Sequence, residues 1–240
     1  WNAERNMRLS VVGTGHVGLV TGACLTEMGN QVLCVDNDQT KITSLNQGIP
    51  PFFEPGLQDL VQHNISKQRL SFTTNISEAV SNSDVIFIAV DTPSHPDGST
   101  DLSSLMDVTN QIARDLNGYK VVVQKSTVPV GTGEQIEKTL RDNVNGAGQL
   151  DLVAMPEFLR EGTAVQDFLH PDRIVLGLKS PRAKKIMEQI LSPLNAPMVV
   201  ADFSTAELIK YASNAFLAMK VSYINAVANI CELLDAELTC

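Results

Sequence analysis

Arg8-Leu9-Ser10-Val11-Val12-Gly13-Thr14-Gly15-His16-Val17-Gly18 is an apolar run that passes directly into G-x-G-x-x-G. The motif carries weight only between a strand and a helix, and here Arg8–Gly13 reads as strand and His16–Met28 as helix. The first glycine makes the tight turn, the second lets the backbone approach a pyrophosphate, and the third lets helix pack on strand. The helix N-terminus adds unpaired N–H groups and the positive end of its dipole. Asp36 lies 18 residues after Gly18, at the end of a second strand, Gln31–Val35. A carboxylate there holds a ribose 2′-OH and repels a 2′-phosphate, so NAD is expected rather than NADP. Lys41 is close enough to brace the same ribose or a phosphate. The expected cofactor set is Gly13, Thr14, Gly15, His16, Val17, Gly18, Asp36 and Lys41, with His16 offering its backbone. A Gly-rich turn without ligand is the alternative.

Working outward, Leu70–Thr73, Asp84–Val90, Lys120–Val123, Leu150–Ala154, Arg173–Leu178 and Met198–Val200 read as further strands. Near-continuous apolar runs such as Val85–Val90 indicate strands covered on both faces, as in a parallel sheet. Helical stretches alternate with them: Gln39–Asn46, Gly56–Asn64, Leu102–Leu116, Gly133–Asn143 and Pro181–Leu191. Asn117-Gly118 and Asn145-Gly146 mark turns. This alternation predicts an α/β fold, a doubly wound Rossmann-type and mostly parallel sheet. Ser204-Thr205-Ala206-Glu207 then reads as a capping box opening a long helix, with no Pro or Gly up to Asp235. That helix is apolar almost all round, so a second domain or another subunit must cover what the sheet cannot. The expected division is a cofactor domain at 7–202 and a long central helix at 203–240.

The chain has 240 residues, about 1.6 domains' worth. Eighteen Lys and Arg against 27 Asp and Glu give a net charge of −9, which excludes general attraction to nucleic acid or anionic lipid. There is no run of 18 apolar residues, so no membrane span is expected. The polar start Trp1–Asn6 is no secretion signal, and Met7 reads as the natural start. Cys24, Cys34, Cys231 and Cys240 form no CxxC pair, which fits a reduced, cytoplasmic setting. With His16, His63, His95 and His170 they show no metal spacing, so no metal is expected.

Four further stretches bear on chemistry. Val90-Asp91-Thr92-Pro93-Ser94 follows a strand end, where ligands bind in open α/β sheets, though a Pro-rich turn is the plain reading. Lys125-Ser126-Thr127-Val128-Pro129 places two hydroxyls at another strand end, for a cofactor or as helix caps. In Met155-Pro156-Glu157-Phe158-Leu159-Arg160-Glu161, a helix would put Glu157 and Glu161 on one face. Solvated helix carboxylates are the alternative. Lys210 and Asn214 are an i,i+4 pair inside an apolar helix. A lysine there is costly unless paired, functional or able to snorkel to water.

The order VGTGHVGLV, D-N-D-x-x-K, LNQGIPPFFEPGL, VDTPS, KSTVPVGTG, PEFLREGTA, HPDRIVLG and ELIKYASNAFLAMKVSYINAVANICE resembles the UDP-glucose/GDP-mannose dehydrogenase family, from about Met7 to the end. The resemblance implies NAD-dependent, two-step oxidation of a sugar C6 alcohol to a carboxylate through a cysteine thioester, with UDP-glucose as substrate and GDP-mannose as the alternative. It implies that Glu157 is the base for thioester hydrolysis and that Phe158, Leu159, Arg160 and Glu161 hold the sugar nucleotide, with Glu161 also near the nicotinamide. Lys210 and Asn214 match the pair that stabilises oxyanion charge and positions water. Thr92 and Thr127 match cofactor contacts, Thr127 counting with the catalytic group too. Apart from the resemblance, the apolar circumference of the long helix points to a homodimer through it when the enzyme is full length.

The departures are as informative. The family's nucleophile sits in a Gly-Gly-Ser-Cys-Phe-type loop beyond the long helix, and no such motif occurs here. None of the four cysteines matches it. Asp91 stands where relatives often carry a neutral residue, and Met155 where they often carry a polar one. The expectation is a chain that binds NAD and turns nothing over by itself. A stand-alone dinucleotide-binding module and a hydroxyacid dehydrogenase of the wider superfamily are the other readings. The PEFLREG segment speaks against the latter, since simple alcohol oxidation needs no thioester-hydrolysing glutamate.

Overall fold

A computed structural model describes residues 7–144 and 148–237. Residues 1–6, the turn expected at Asn145-Gly146 and Cys240 lie outside the described residues. The chain runs β1 (Arg8–Val12), α1 (His16–Glu27), β2 (Gln31–Val35), α2 (Gln39–Asn46), α3 (Leu57–Ser66), β3 (Leu70–Thr73), α4 (Ile76–Asn82) and β4 (Val85–Ile88). It continues through α5 (Ser103–Asp115), β5 (Tyr119–Gln124), α6 (Thr132–Asn143), β6 (Gln149–Ala154), α7 (Ala164–Leu169), β7 (Ile174–Leu178), α8 (Pro181–Leu191), β8 (Met198–Ala201) and α9 (Phe203–Leu234). The eight strands form one sheet in the order β3-β2-β1-β4-β5-β6-β7-β8. The first six follow the doubly wound dinucleotide-binding order. All pairings are parallel except β6–β7, where only Val153↔Leu178 and Ala154↔Gly177 pair antiparallel.

Side-chain alternation explains the unbroken apolar strands. In β4, Val85 and Phe87 join the core on one face, while Ile86 and Ile88 join the core on the other. The first core packs under α1, α3, α7 and α8 through Leu19, Leu57, Phe168 and Met187. The second packs under α4, α5 and α6 through Val80, Ile112 and Ile136, and takes in Phe203 at the root of α9. A Cβ on Gly177 would lie 2.8 Å from both the Ala206 Cβ and the Asp202 carbonyl oxygen, so glycine in β7 is what admits α9 to the sheet.

Two sequence expectations change here. Ser204 is not the N-cap of α9. Asp202 is, its carboxylate accepting from the Thr205 amide at 2.7 Å, and Glu207 closes no capping box because it reaches another loop. Glu157 and Glu161 do not share a helical face, because residues 155–160 are irregular and helix resumes only at Ala164. Helices α4 and α7, each under eight residues, were not foreseen.

Only the first turns of α9 are covered: Phe203, Ala206, Glu207 and Lys210 are its buried residues. Beyond them Phe216, Leu217, Met219, Tyr223 and Ile224 are all exposed. By length and composition alone α9 could cross a membrane, although it contains no unbroken apolar run of the kind sought in the sequence.

Candidate functional site

The loops after β1, β4, β5 and β6 and the root of α9 gather at one end of the sheet, the carboxyl ends of its central strands. Gly13 has φ +100° and its amide donates to the Val35 carbonyl at 2.8 Å, which turns the chain sharply off β1. A Cβ on Gly18 would collide with the Gly13 carbonyl, so α1 can rise only from a glycine there. Gly15 is the N-cap of α1 and supplies no side-chain cap, leaving the first amides of the helix free to meet an anion. A cavity of about 340 Å³ opens beside it, lined by Gly13, Gly15, Asp36, Lys41 and Asp91. The glycine cradle, the uncapped amides and the acid at the rim fit a dinucleotide.

Asp36 stands at the end of β2. Its Oδ2 accepts from the Thr14 amide at 2.9 Å, the Thr14 hydroxyl at 2.7 Å and Lys41 Nζ at 3.1 Å. Burial pushes its carboxyl upward, but these hydrogen bonds and one from the Asp38 amide outweigh burial and hold it below the usual carboxylate range. Thr92 and Thr127 are brought together: the Thr92 hydroxyl donates to the Thr127 carbonyl at 2.7 Å. The Ser126 hydroxyl donates to the Val90 carbonyl at 2.6 Å, stitching the β4 and β5 loops. His16 is the first residue of α1, and its ring lies 4.9 Å from Phe52 with Nε2 3.4 Å from Glu54 Oε2.

Beyond the end of β6, Glu157 meets Lys210 from α9. Lys210 Nζ donates to Glu157 Oε1 at 2.8 Å, and the Leu159 amide donates to Oε2 at 2.6 Å. Their side chains are only 7% and 11% exposed for Lys210 and Glu157, so the pair works at low local dielectric. Two cations lie over the Phe158 ring, Arg173 at 4.7 Å and Lys210 at 5.4 Å from its centroid. A cavity of about 610 Å³ adjoins this cluster, lined by Glu157, Phe158, Arg160, Arg173 and Lys125 among others. Arg160 is tied back to Asp167. Leu159 is half-buried, and Glu161 is exposed. Asn214 is exposed on α9, one turn past Lys210, and makes no side-chain hydrogen bond among the described residues.

Lys125 opens the motif that follows β5, and its sequence position alone gives it no role. It is buried at the end of β5 with its ammonium 5.7 Å over the Phe168 ring. Burial brings its pKa down to about 8; Glu157 opposes the fall and Lys210 adds to it. Burial likewise pushes the Cys24 and Cys34 thiols up to about 12, far from thiolate character.

An open sheet of this strand order, a glycine cradle at the first turn and an acid at the end of β2 define a nicotinamide-dinucleotide-binding domain of a dehydrogenase. Residues 7–195 match the model of the UDP-glucose/GDP-mannose dehydrogenase family, NAD binding domain, and residues 204–239 match that family's central domain. The chain belongs to this family, and NAD is its cofactor. It is 47% identical over 232 residues to the UDP-glucose 6-dehydrogenase TuaD of Bacillus subtilis, covering 97% of this chain and 50% of that protein. A UDP-glucose dehydrogenase structure from the archaeon Pyrobaculum islandicum superposes with a TM-score of 0.94 at 36% identity, covering 99% of this chain and 56% of that one. A GDP-mannose dehydrogenase ternary complex from Pseudomonas aeruginosa gives 0.93 at 36% identity, covering 97% and 55%. The chain thus spans about half the length of these relatives. The central-domain match over α9 marks it as a helix of that domain, which its hydropathy alone does not distinguish from a membrane span.

Proposed function

We propose that this chain is the N-terminal portion of a cytoplasmic, homodimeric UDP-glucose 6-dehydrogenase that oxidises the C6 alcohol to UDP-glucuronate. Residues 7–202 form the cofactor domain and 203–240 begin the central helix. The UDP-binding domain and the nucleophilic cysteine lie in the part of the enzyme that follows. The observation that carries this reading is the Glu157–Lys210 ion pair, 2.8 Å long with side chains 11% and 7% exposed, at the same end of the sheet as the glycine cradle. A nucleotide-binding module without chemistry has no need of a desolvated base paired to a desolvated ammonium.

NAD held in the cradle would supply hydride acceptance for the two oxidations. The chain's own residues do the rest. The cradle Gly13–Gly18 holds the pyrophosphate, and Asp36 with Lys41 takes the adenosine ribose. Thr92, Thr127 and Glu161 line the way toward the nicotinamide. Phe158, Leu159, Arg160 and Glu161 grip the sugar nucleotide. Lys210 stabilises the oxyanion that forms as the thiol adds to the aldehyde and as water adds to the thioester, with Asn214 placing that water. Glu157 takes the proton from the water and returns it to the sulfur as the C–S bond breaks, so the cysteine leaves as a thiol.

The test compares three proteins in one NADH assay with UDP-glucose. The complete enzyme yields two NADH per sugar, this chain yields none, and Lys210→Met in the complete enzyme lowers kcat by about 10²- to 10³-fold, as removal of one oxyanion donor does. Steady turnover by this chain alone would sink the proposal. GDP-mannose is the second reading, favoured by the near-equal likeness to the Pseudomonas aeruginosa structure. Higher kcat/KM with GDP-mannose in the complete enzyme would establish it.

A further inference from the structure

Glu54 lies in the loop between α2 and α3, and its side chain is 1% exposed. Its Oε2 accepts from the Gly162 amide at 2.8 Å and its Oε1 from the Ala164 amide at 2.9 Å, across 108 and 110 residues of chain. These amides open α7, whose own N-cap, Thr163, gives no side-chain cap. The same Oε2 is 3.4 Å from His16 Nε2. That ring nitrogen is buried without a hydrogen-bond partner, and the ring is held 4.9 Å from Phe52. Burying a carboxylate is costly unless it is paired, and a threonine hydroxyl could have capped α7 locally. The sequence uses instead a carboxylate that touches both the first turn of α1 and the start of α7. His16 is the first residue of α1 in the phosphate cradle. Gly162 and Ala164 end the loop that begins at Glu157.

We propose that Glu54 is a positioning residue that couples the two halves of the site. It sets the 158–163 loop through the Gly162 and Ala164 amides, and through His16 it makes that setting depend on the phosphate cradle. When the cradle settles on an anion, the His16 ring shifts against Glu54, and Glu54 carries the shift to the loop. This rests on the reading above, in which the cradle takes NAD and the loop takes the sugar nucleotide.

Two measurements test it. The first uses this chain and NAD: amide hydrogen exchange at Gly162 and Ala164, with binding followed separately by fluorescence. NAD is expected to raise protection of both amides by about fivefold or more, the lower end of ordinary site coupling. NAD bound with protection unchanged overturns the coupling alone, whereas no NAD binding overturns the cofactor reading and the coupling with it. The second uses Glu54→Gln in the complete enzyme. Its KM for UDP-glucose should rise about tenfold, a single lost charge-assisted hydrogen bond, while the Kd for NAD rises by only about fivefold, the coupling that Glu54 carries. Glu54→Asp, which keeps the charge with a shorter reach, should fall between. An unchanged KM, or equal loss of both ligands with a lower Tm, would mark Glu54 as structural only and overturn the proposal.

Discussion

Four hydrogen bonds converge on the Asp36 carboxylate, from the Thr14 amide, the Thr14 hydroxyl, Lys41 and the Asp38 amide. The charged form is therefore favoured in the folded chain. A carboxyl depressed on folding contributes stability that is present above its ordinary value of 3.8 and lost as pH falls through the depressed one. The urea midpoint of the parent should drop relative to Asp36→Asn as pH is taken below about 4. At neutral pH the same variant should bind NAD about tenfold more weakly, since a neutral amide replaces a charged acceptor. Asp36 was legible in sequence because strand, loop and spacing are all local. Glu54 and Lys125 were not. Each stands in a quoted motif, but what marks them is burial and contact with residues far along the chain. The one signal for Glu54 was a carboxylate set among Phe52, Phe53 and Pro55.

The elements hold one another through borrowed caps. Helix α6 begins at Gly131, which has no side-chain cap of its own, and Glu207 from α9 accepts from the Gly131 amide at 2.7 Å and the Gly133 amide at 2.6 Å. Burial raises the Glu207 carboxyl despite these two amides. A raised carboxyl contributes stability that is present below 4.5 and lost as pH rises through the raised value. Against Glu207→Gln, the parent should gain stability on acidification through that window, read by urea unfolding. Glu207→Ala should cost about 1–3 kcal/mol, because both amides lose their acceptor. The spacing Ser204 to Glu207 fits a capping box, and sequence alone has no means of seeing that the glutamate faces a loop 74 residues back. Helices α4 and α7 were missed for a related reason: at 7 and 6 residues they show too little periodicity, and α7 owes its start to Glu54. The strands were legible almost throughout, since both faces of the sheet are covered and apolar runs result. The reversed direction of β7 was not, because an apolar run reads alike in either sense.

At the scale of the molecule, the sheet carries a domain sealed on both faces and a helix that is not. Each large apolar side chain left on α9 forgoes about 1.5–3 kcal/mol of burial. This chain should therefore self-associate, with a mass by light scattering that climbs with concentration. Phe216→Glu with Ile224→Glu, both on exposed positions, should return it to a monomer without lowering Tm. Where the helix is anchored has a mechanical consequence. Lys210 lies only about 10 Å along α9 from its fixed end, whereas Leu234 lies about 46 Å away. A tilt of about 5° about that end swings Leu234 by roughly 4 Å and Lys210 by roughly 1 Å. The helix is a lever with its buried ammonium beside the fulcrum, so whatever is attached to the far end can swing widely while the charge that faces Glu157 stays almost still.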